Sequence, residues 1–173
     1  MSIMIRPETS ADIAAIYTVN KRAFRDRDAE PRLVDAIRAL DAFVPGLSLV
    51  AELDGQVVGH ILFSRIHIAT EKGNIPAIAL APMAVLPEYQ GQAIGSALVR
   101  RGLEICREQG HAIVIVLGHP RFYPRFGFSA EQAKALECPF GDCGDAWMVL
   151  ELIPGALADV RGKVVYPSVF NGI

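Results

Sequence analysis

The stretch PEYQGQAIGSALVRRGLE, residues 87–104, begins as a polar loop and continues as an amphipathic helix, with two glycines at the junction. Ile94 and Leu98 fall on one side of that helix, whereas Arg100 and Glu104 fall mostly elsewhere. The first turn of a helix has unpaired N–H groups and the positive end of the helix dipole. The stretch therefore predicts an anion site in the loop, although any strand-to-helix connection also needs polar and flexible residues.

The common phosphate-binding patterns do not fit this loop. The chain has neither the GxxxxGK[ST] pattern of a P-loop nor the GxGxxG pattern of a dinucleotide fold. Gly91 and Gly95 keep side chains away from a bulky phosphate, and the Ser96 hydroxyl adds a donor from the first turn. The predicted ligand is a phosphate compound of another kind.

The residues before the loop predict helices and antiparallel strands. A short strand at residues 3–5 is followed by a helix capped by Thr9 or Ser10 and by a second helix capped by Asp28. Two runs rich in valine, isoleucine and leucine, residues 47–53 and 56–68, flank an Asp-Gly pair and predict a hairpin.

The residues on both sides of the loop predict a parallel pair of strands. An apolar run at residues 75–85 precedes the loop, and the run AIVIVLG, residues 112–118, follows the helix. Short turns are expected in HPRFYPRFGF, residues 119–128, and a last strand at residues 146–152. The fold class is α/β (α+β), with a mixed, largely antiparallel sheet, one parallel strand-helix-strand unit and flanking helices.

Length and composition limit the classes of protein. A chain of 173 residues, 51% hydrophobic, predicts a single domain over residues 1–173, with residues 154–173 as a tail packed on it. A net charge of −2 argues against nucleic acid or an anionic membrane as a partner. The tail either closes the core or reaches a second subunit, so a homodimer stays open.

The cysteines and the amino terminus suggest a compartment. Three cysteines leave at least one unpaired, and Cys106, Cys138 and Cys143 lack the spacing of a zinc site. A reducing compartment and no metal are the expectation. The chain shows neither a secretory signal at its start nor an apolar run of membrane-spanning length, so the cytoplasm is predicted.

Two motifs resemble one enzyme family. AVLPEYQGQAIGSALV resembles the pyrophosphate-binding motif of the GNAT family of N-acetyltransferases, in which glutamine or arginine is followed by two residues, glycine, one residue, and glycine or alanine. The matching positions here are Gln90, Gly91, Gln92, Ala93, Ile94 and Gly95. The later FYPRFGF is similar to the family's aromatic-plus-Gly-Phe element, and the likeness is closest to the bacterial YhbS-like subgroup. One departure is Ala93, where the family pattern has glycine.

The resemblance implies a cosubstrate and the residues that hold it. Acetyl-CoA would place its pyrophosphate on residues 90–96, Ser96 included, and its pantetheine arm beside Met83, Ala84 and Val85. The N–H of Val85 would then donate to the thioester oxygen as negative charge develops there. If position 93 needs a positive φ, alanine costs roughly 1 to 2 kcal/mol; if its φ is helical, the methyl group only crowds the phosphate.

The resemblance also implies a general acid, Tyr123, for the leaving thiolate; the alternative is an ordinary aromatic of the FYPRFGF cluster. A base for the incoming amine is harder to find, because residues 75–85 contain no ionisable side chain. His119, at the end of a strand, is a candidate base or substrate contact, or a simple turn histidine. Glu88 and a relaying water are further options.

Other reactive side chains are more simply explained by packing. His60 and His67 both lie on the predicted second hairpin strand and are expected to be satisfied sheet histidines. Cys106 falls on the buried side of the helix, which favours packing over a covalent acyl-cysteine.

The predicted function is acetyl transfer from acetyl-CoA to a primary amine by direct attack. The alternative is a CoA-binding sensor without chemistry, and the absent P-loop lysine disfavours a nucleotide-phosphate protein. Small-molecule and protein amines all remain open as acceptors.

Overall fold

The computed structural model describes residues 2–172, which form two compact units. The first unit contains residues 2–64, 81–105 and 168–172, and the second contains residues 65–80 and 106–167. No helix within residues 2–172 is both long and apolar enough to cross a membrane.

The first unit contains an antiparallel sheet with helices. Its elements are β1 (Ile3–Pro7), α1 (Ile13–Ala23), α2 (Ala29–Arg38), β2 (Phe43–Leu53), the first part of β3 (Gln56–Thr70), the last part of β4 (Gly73–Val85) and most of α3 (Ile94–Glu108). β1 pairs with β2, and β2 pairs with β3, both antiparallel. The predicted hairpin is confirmed: Asp54 and Gly55 form its turn with φ of +50° and +78°.

Both predicted helices are present, but the capping predictions hold only in part: the N-cap of α1 is Asp12 rather than Thr9 or Ser10, and Asp28 is the N-cap of α2 without a side-chain cap hydrogen bond. A short 3₁₀ turn that begins after Thr9 leads into α1, and the Asp12 carboxylate accepts the Thr9 N–H at 2.7 Å. Arg6 donates two further hydrogen bonds to Asp12, at 2.7 and 3.0 Å, which hold the pKa of that carboxyl well below its usual range. Asp28 precedes α2, and Pro31 lies in its first turn.

Two glycines let α3 lie directly on β3. A Cβ placed on Gly59 would be 3.1 Å from Leu98 and 3.2 Å from Ile94, and a Cβ on Gly102 would be 2.1 Å from the ring of Phe63. The predicted apolar side of α3 is therefore the side that packs, and the amino terminus of the helix is fixed against the sheet.

The second unit contains the remaining strands. They are the last part of β3, the first part of β4, β5 (Ile113–Leu117), β6 (Leu136–Glu137), β7 (Trp147–Glu151) and β8 (Gly162–Val165). β4 and β5 are parallel, with Ile78 opposite Val114, which confirms the predicted crossover. β7 runs antiparallel to β5, and β8 lies antiparallel to β3 and parallel to β6.

Two strands and one covalent bond of this unit were not predicted from the sequence. β6 and β8 are too short for an apolar period to reveal them, and β8 lies in the segment described only as a tail. Cys138 and Cys143 form a disulfide across five residues of sequence, while Cys106 is free and buried. One cysteine is thus unpaired as predicted, but a reducing compartment no longer follows from the cysteine content, because cytosolic disulfides are rare.

Candidate active site

The predicted anion loop has two residues with left-handed backbone. After a 3₁₀ turn at Pro87–Tyr89, Gly91 has a φ of +78° and Ala93 a φ of +66°. The next residue, Ile94, begins α3, and the Ala97 N–H donates to the Ala93 carbonyl at 3.1 Å. Backbone N–H groups in such a conformation before a helix form a concavity suited to an anion.

The sequence left two possibilities for Ala93, a positive φ or a helical φ, and the structure has the positive φ. Its positive φ places a non-glycine residue in a region that costs about 1 to 2 kcal/mol. Position 91 favours glycine because of its positive φ and not because of crowding, since a Cβ there would meet nothing within 4 Å.

The first four residues of the loop are exposed to solvent, and the residues that begin α3 are mostly buried. Gln90, Gly91, Gln92 and Ala93 are exposed, as a ligand-binding loop requires. In the first turn of α3, Ile94 and Ser96 are buried and Gly95 is half-buried.

A side-chain hydrogen bond ties the loop to the end of β4. The Gln90 amide Nε2 donates to the Val85 carbonyl at 3.0 Å. The following residue, Leu86, donates its N–H to the Val58 carbonyl of β3 at 2.9 Å. Ala84 and Val85 are buried, and Met83 is half-buried. All the residues that the resemblance assigns to CoA therefore lie in the first unit, in one continuous segment.

An ion pair that no sequence pattern predicts holds α1 to the start of the loop. Arg22 donates to the Glu88 carboxylate at 2.6 Å across 66 residues of sequence. This hydrogen bond lowers the pKa of Glu88. Glu88 is therefore a paired carboxylate, which reduces its value as a base.

Tyr123 and His119 share one turn of the second unit. The Tyr123 N–H points at the His119 carbonyl, at 3.4 Å, and Tyr123 opens the short 3₁₀ helix Tyr123–Phe126, which confirms the predicted turn. The Tyr123 ring is 6% exposed, and burial raises its pKa to about 12. Its phenol therefore stays protonated at neutral pH.

The His119 side chain has a local partner. Its Nδ1 accepts the backbone N–H of Arg121 at 3.2 Å. In the neutral ring the proton then sits on Nε2, which makes that nitrogen a donor. This geometry favours a substrate contact over a base.

His60 is a satisfied sheet histidine, as predicted. It is fully buried, its Nε2 lies 2.9 Å from the Ser48 hydroxyl and its Nδ1 lies 3.0 Å from the Asn20 amide nitrogen. Desolvation lowers the pKa of His60 to about 3. His67 lies further along β3, opposite Val165.

The free cysteine and the possible metal ligands were the remaining candidates for a reactive centre. Burial raises the pKa of Cys106 to about 12, so its thiol is a poor nucleophile. Within residues 2–172, no three histidine, cysteine, aspartate or glutamate side chains are grouped so as to hold a metal ion.

Comparison with known proteins identifies the family. The model of the GNAT acetyltransferase domain matches residues 4–130 of this chain. The chain belongs to the GNAT acetyltransferase family. The uncharacterized N-acetyltransferase YhbS of Escherichia coli K12 is 37% identical over 170 residues, which cover 98% of this chain and 99% of YhbS.

Two solved structures of GNAT proteins are similar to the whole chain. The GNAT family N-acetyltransferase YhbS from Escherichia coli, in complex with CoA, has a TM-score of 0.88 at 36% identity and covers 98% of this chain and 92% of its own. A GNAT family acetyltransferase from Brucella melitensis, in complex with acetyl-CoA, has a TM-score of 0.80 at 35% identity and covers 98% of both chains. The predictions of the family, of its YhbS-like subgroup, of the mixed fold and of an acetyltransferase enzyme are confirmed.

Proposed function

We propose that this GNAT protein transfers the acetyl group of acetyl-CoA to a primary amine by direct nucleophilic attack. The observation that carries the proposal is the pair of left-handed residues, Gly91 and Ala93, at the amino terminus of α3. In general, backbone N–H groups in such a conformation at the positive end of a helix dipole can converge on one anion, which supports a pyrophosphate site here. The CoA and acetyl-CoA complexes of the two similar structures support this ligand.

The cosubstrate is proposed to lie along the end of β4, on the residues assigned from the resemblance. Gln90 donates to the Val85 carbonyl, which ties the loop to the end of β4. The Val85 N–H is proposed as the donor for the thioester oxygen. A fixed backbone donor stabilises the oxygen most when it becomes an oxyanion during attack.

Tyr123 is proposed to donate a hydrogen bond to the sulfur as the carbon–sulfur bond breaks. A free thiol has a pKa near 8.5, whereas the pKa of Tyr123 is about 12. Complete transfer of the phenol proton to a thiolate is therefore uphill by about 5 kcal/mol. The phenol stabilises the developing charge, and the proton that the amine nitrogen loses completes the thiol.

The acceptor must lose a proton before it attacks. An unperturbed lysine amine is neutral in about one molecule in a few thousand at pH 7, which costs roughly 4 to 5 kcal/mol. The pairing of Glu88 with Arg22 and the donor state of His119 favour a relaying water or a desolvated amine over either side chain as the base. His119 is proposed as an acceptor contact.

The wider setting of the reaction is proposed from the sequence alone. A small molecule or a protein amine is the acceptor, and neither a nucleic acid nor a membrane takes part. The protein is proposed to act as a single domain in the cytoplasm, where the Cys138–Cys143 disulfide would be unusual because cytosolic disulfides are rare. A homodimer is open to test.

Isothermal titration with acetyl-CoA, run beside a thiol-release assay over an amine library, tests the proposal. Tyr123→Phe is expected to lower kcat about 100-fold or more, because removal of one hydrogen-bond donor to a developing negative charge costs about 10²- to 10³-fold. The dissociation constant of acetyl-CoA should stay within about twofold. Tyr166→Phe is the matched control, since burial also raises the pKa of the Tyr166 phenol.

The outcomes separate the enzyme from the sensor. Thiol release that depends on one class of amine and on the Tyr123 hydroxyl supports the transferase and identifies its acceptor. Binding of acetyl-CoA without release from any amine favours the CoA-binding sensor. Absence of binding removes the anion site at residues 90–96.

A further inference from the structure

The Tyr123 ring fills the space that a side chain at position 118 would need. A Cβ built on Gly118 would lie 2.4 Å from Cε2 and 2.9 Å from Cδ2 of that ring. Protein interiors do not tolerate carbon atoms at such distances, so one of the two groups would have to move. The phenol is thus packed directly on the backbone of Gly118.

The backbone of Gly118 is not free to move away. Leu117, the last residue of β5, pairs with Trp147 of β7. The Gly118 N–H then donates to the Ala146 carbonyl at 2.9 Å. A side chain at position 118 would therefore displace the ring and leave the strand in place.

Other aromatic rings enclose Tyr123. Phe122 lies edge-on at 5.0 Å between ring centroids, and Phe128 lies edge-on at 5.7 Å. With these sides occupied, we expect a displaced ring to become more exposed to solvent.

Backbone geometry does not explain the glycine. Gly118 is not among the residues of the described chain with a positive φ, so an alanine there would be unstrained in its backbone. What position 118 requires is the absence of a Cβ.

We propose that Gly118 is a positioning residue for the reaction, because its lack of a side chain sets the place of the Tyr123 phenol. The inference rests on the proposed function, in which Tyr123 serves the leaving sulfur. A displacement of about 1 Å in a reacting group can cost about 100-fold in rate. Gly118→Ala should therefore slow the reaction through its effect on the phenol.

The test measures the ring and the reaction separately in the full-length protein. In Gly118→Ala, the pKa of Tyr123 should fall from about 12 toward its ordinary value near 10, read from ¹³C-labelled tyrosine resonances up to pH 11. The kcat for thiol release should fall about 10- to 100-fold, while the dissociation constant of acetyl-CoA stays within about twofold.

The matched control is Gly162→Ala in the same unit. A Cβ there would lie 2.1 Å from the Ala69 carbonyl oxygen, so this variant introduces a clash at least as severe, and the atoms nearest to it belong to Ala69 and Thr70 rather than to Tyr123. It should lower stability but leave the titration of Tyr123 and the kcat of the folded protein unchanged. Equal effects of both variants on the tyrosine would overturn the proposal.

Comparison of Tyr123→Phe with Gly118→Ala distinguishes a failure of the positioning role of Gly118 from a failure of the catalytic role of Tyr123. If Tyr123→Phe is slow, but Gly118→Ala shifts the tyrosine titration and keeps the wild-type kcat, the positioning role fails and the proposed function stands. If Tyr123→Phe has the wild-type rate, the role of Tyr123 fails and the positioning role fails with it.

A measurement on the wild-type protein covers the case in which Gly118→Ala does not fold. A nuclear Overhauser effect between the Gly118 Hα protons and the Tyr123 ring protons is expected. Its absence would overturn the proposal.

Discussion

Ala93 shows how one residue can carry strain at a candidate binding loop. Its φ of +66° is the conformation that glycine adopts freely and alanine does not. The sequence predicts that a strained alternative exists, since alanine stands where the family pattern has glycine. It does not predict which alternative holds, because φ depends on how the loop enters α3.

Ala93→Gly should increase the free energy of unfolding by about 0.5 to 1 kcal/mol. Relief of the strain gains about 1 to 2 kcal/mol, and the greater freedom of glycine in the unfolded chain removes about 0.4 to 1 kcal/mol of this. Urea denaturation of both proteins measures the difference.

The control for this substitution lies four residues further on. Ala97 is inside α3, where glycine costs about 1 kcal/mol, so Ala97→Gly should have the opposite sign. Destabilisation by both substitutions would show that position 93 is not strained.

At the scale of elements, one buried polar network joins two helices and two strands of the first unit. Asn20 of α1 donates to His60 of β3, which contacts Ser48 of β2, and Ser48 donates to Glu8. Glu8 in turn accepts from Arg38 of α2 at 2.9 Å. The network fixes the proton of His60 on Nε2, because the Asn20 amide donates to Nδ1.

The His60 network predicts a loss of stability in acid. The pKa of His60 is about 3 in the folded chain and about 6.5 in the unfolded chain. Between these values only the unfolded state takes up the proton, so stability falls by up to about 1.4 kcal/mol per pH unit as the pH decreases from 6.5 toward 3.

His60→Gln removes the imidazole that takes up a proton in the unfolded state and can keep one hydrogen bond. The stability gap between wild type and variant should therefore shrink as the pH is lowered from 7 to 4.5, in urea titrations at several pH values. Carboxylates such as Asp12 contribute to both proteins and cancel in the difference. A gap that does not change with pH would contradict the buried neutral histidine.

Elements specified by local chemistry were predictable, and those specified by distant partners were not. The hairpin at Asp54 follows from turn residues and strand composition, and α3 follows from its period of apolar residues. β8 has four residues and becomes a strand only because β3 and β6 lie beside it. The Arg22–Glu88 ion pair and the contact of Gly118 with Tyr123 likewise depend on the folded chain.

At the scale of the whole molecule, one disulfide joins two of the three cysteines. Cys138 and Cys143 close a six-residue loop that precedes β7, and Cys106 is buried in α3. The sequence offered only an odd number of cysteines, since the approach of two of them depends on the fold of the loop.

The disulfide predicts a thiol count and a stability effect. Unreduced protein in denaturant should react with one equivalent of Ellman's reagent, and reduced protein with three. Cys138→Ser with Cys143→Ser should lower the free energy of unfolding by about 2 kcal/mol, the value for closing so short a loop. Three reactive thiols without a reductant would show that the bond does not form in solution.

The place of the single tryptophan gives the molecule a built-in optical reporter. Trp147 is 5% exposed, donates its indole N–H to the Leu136 carbonyl at 2.8 Å and shares a cavity with the disulfide, all within the second unit. Its fluorescence therefore follows the melting of that unit, whereas circular dichroism at 222 nm is dominated by α1, α2 and α3. Coincident melting curves from the two signals would identify one cooperative domain, and separate curves would identify two.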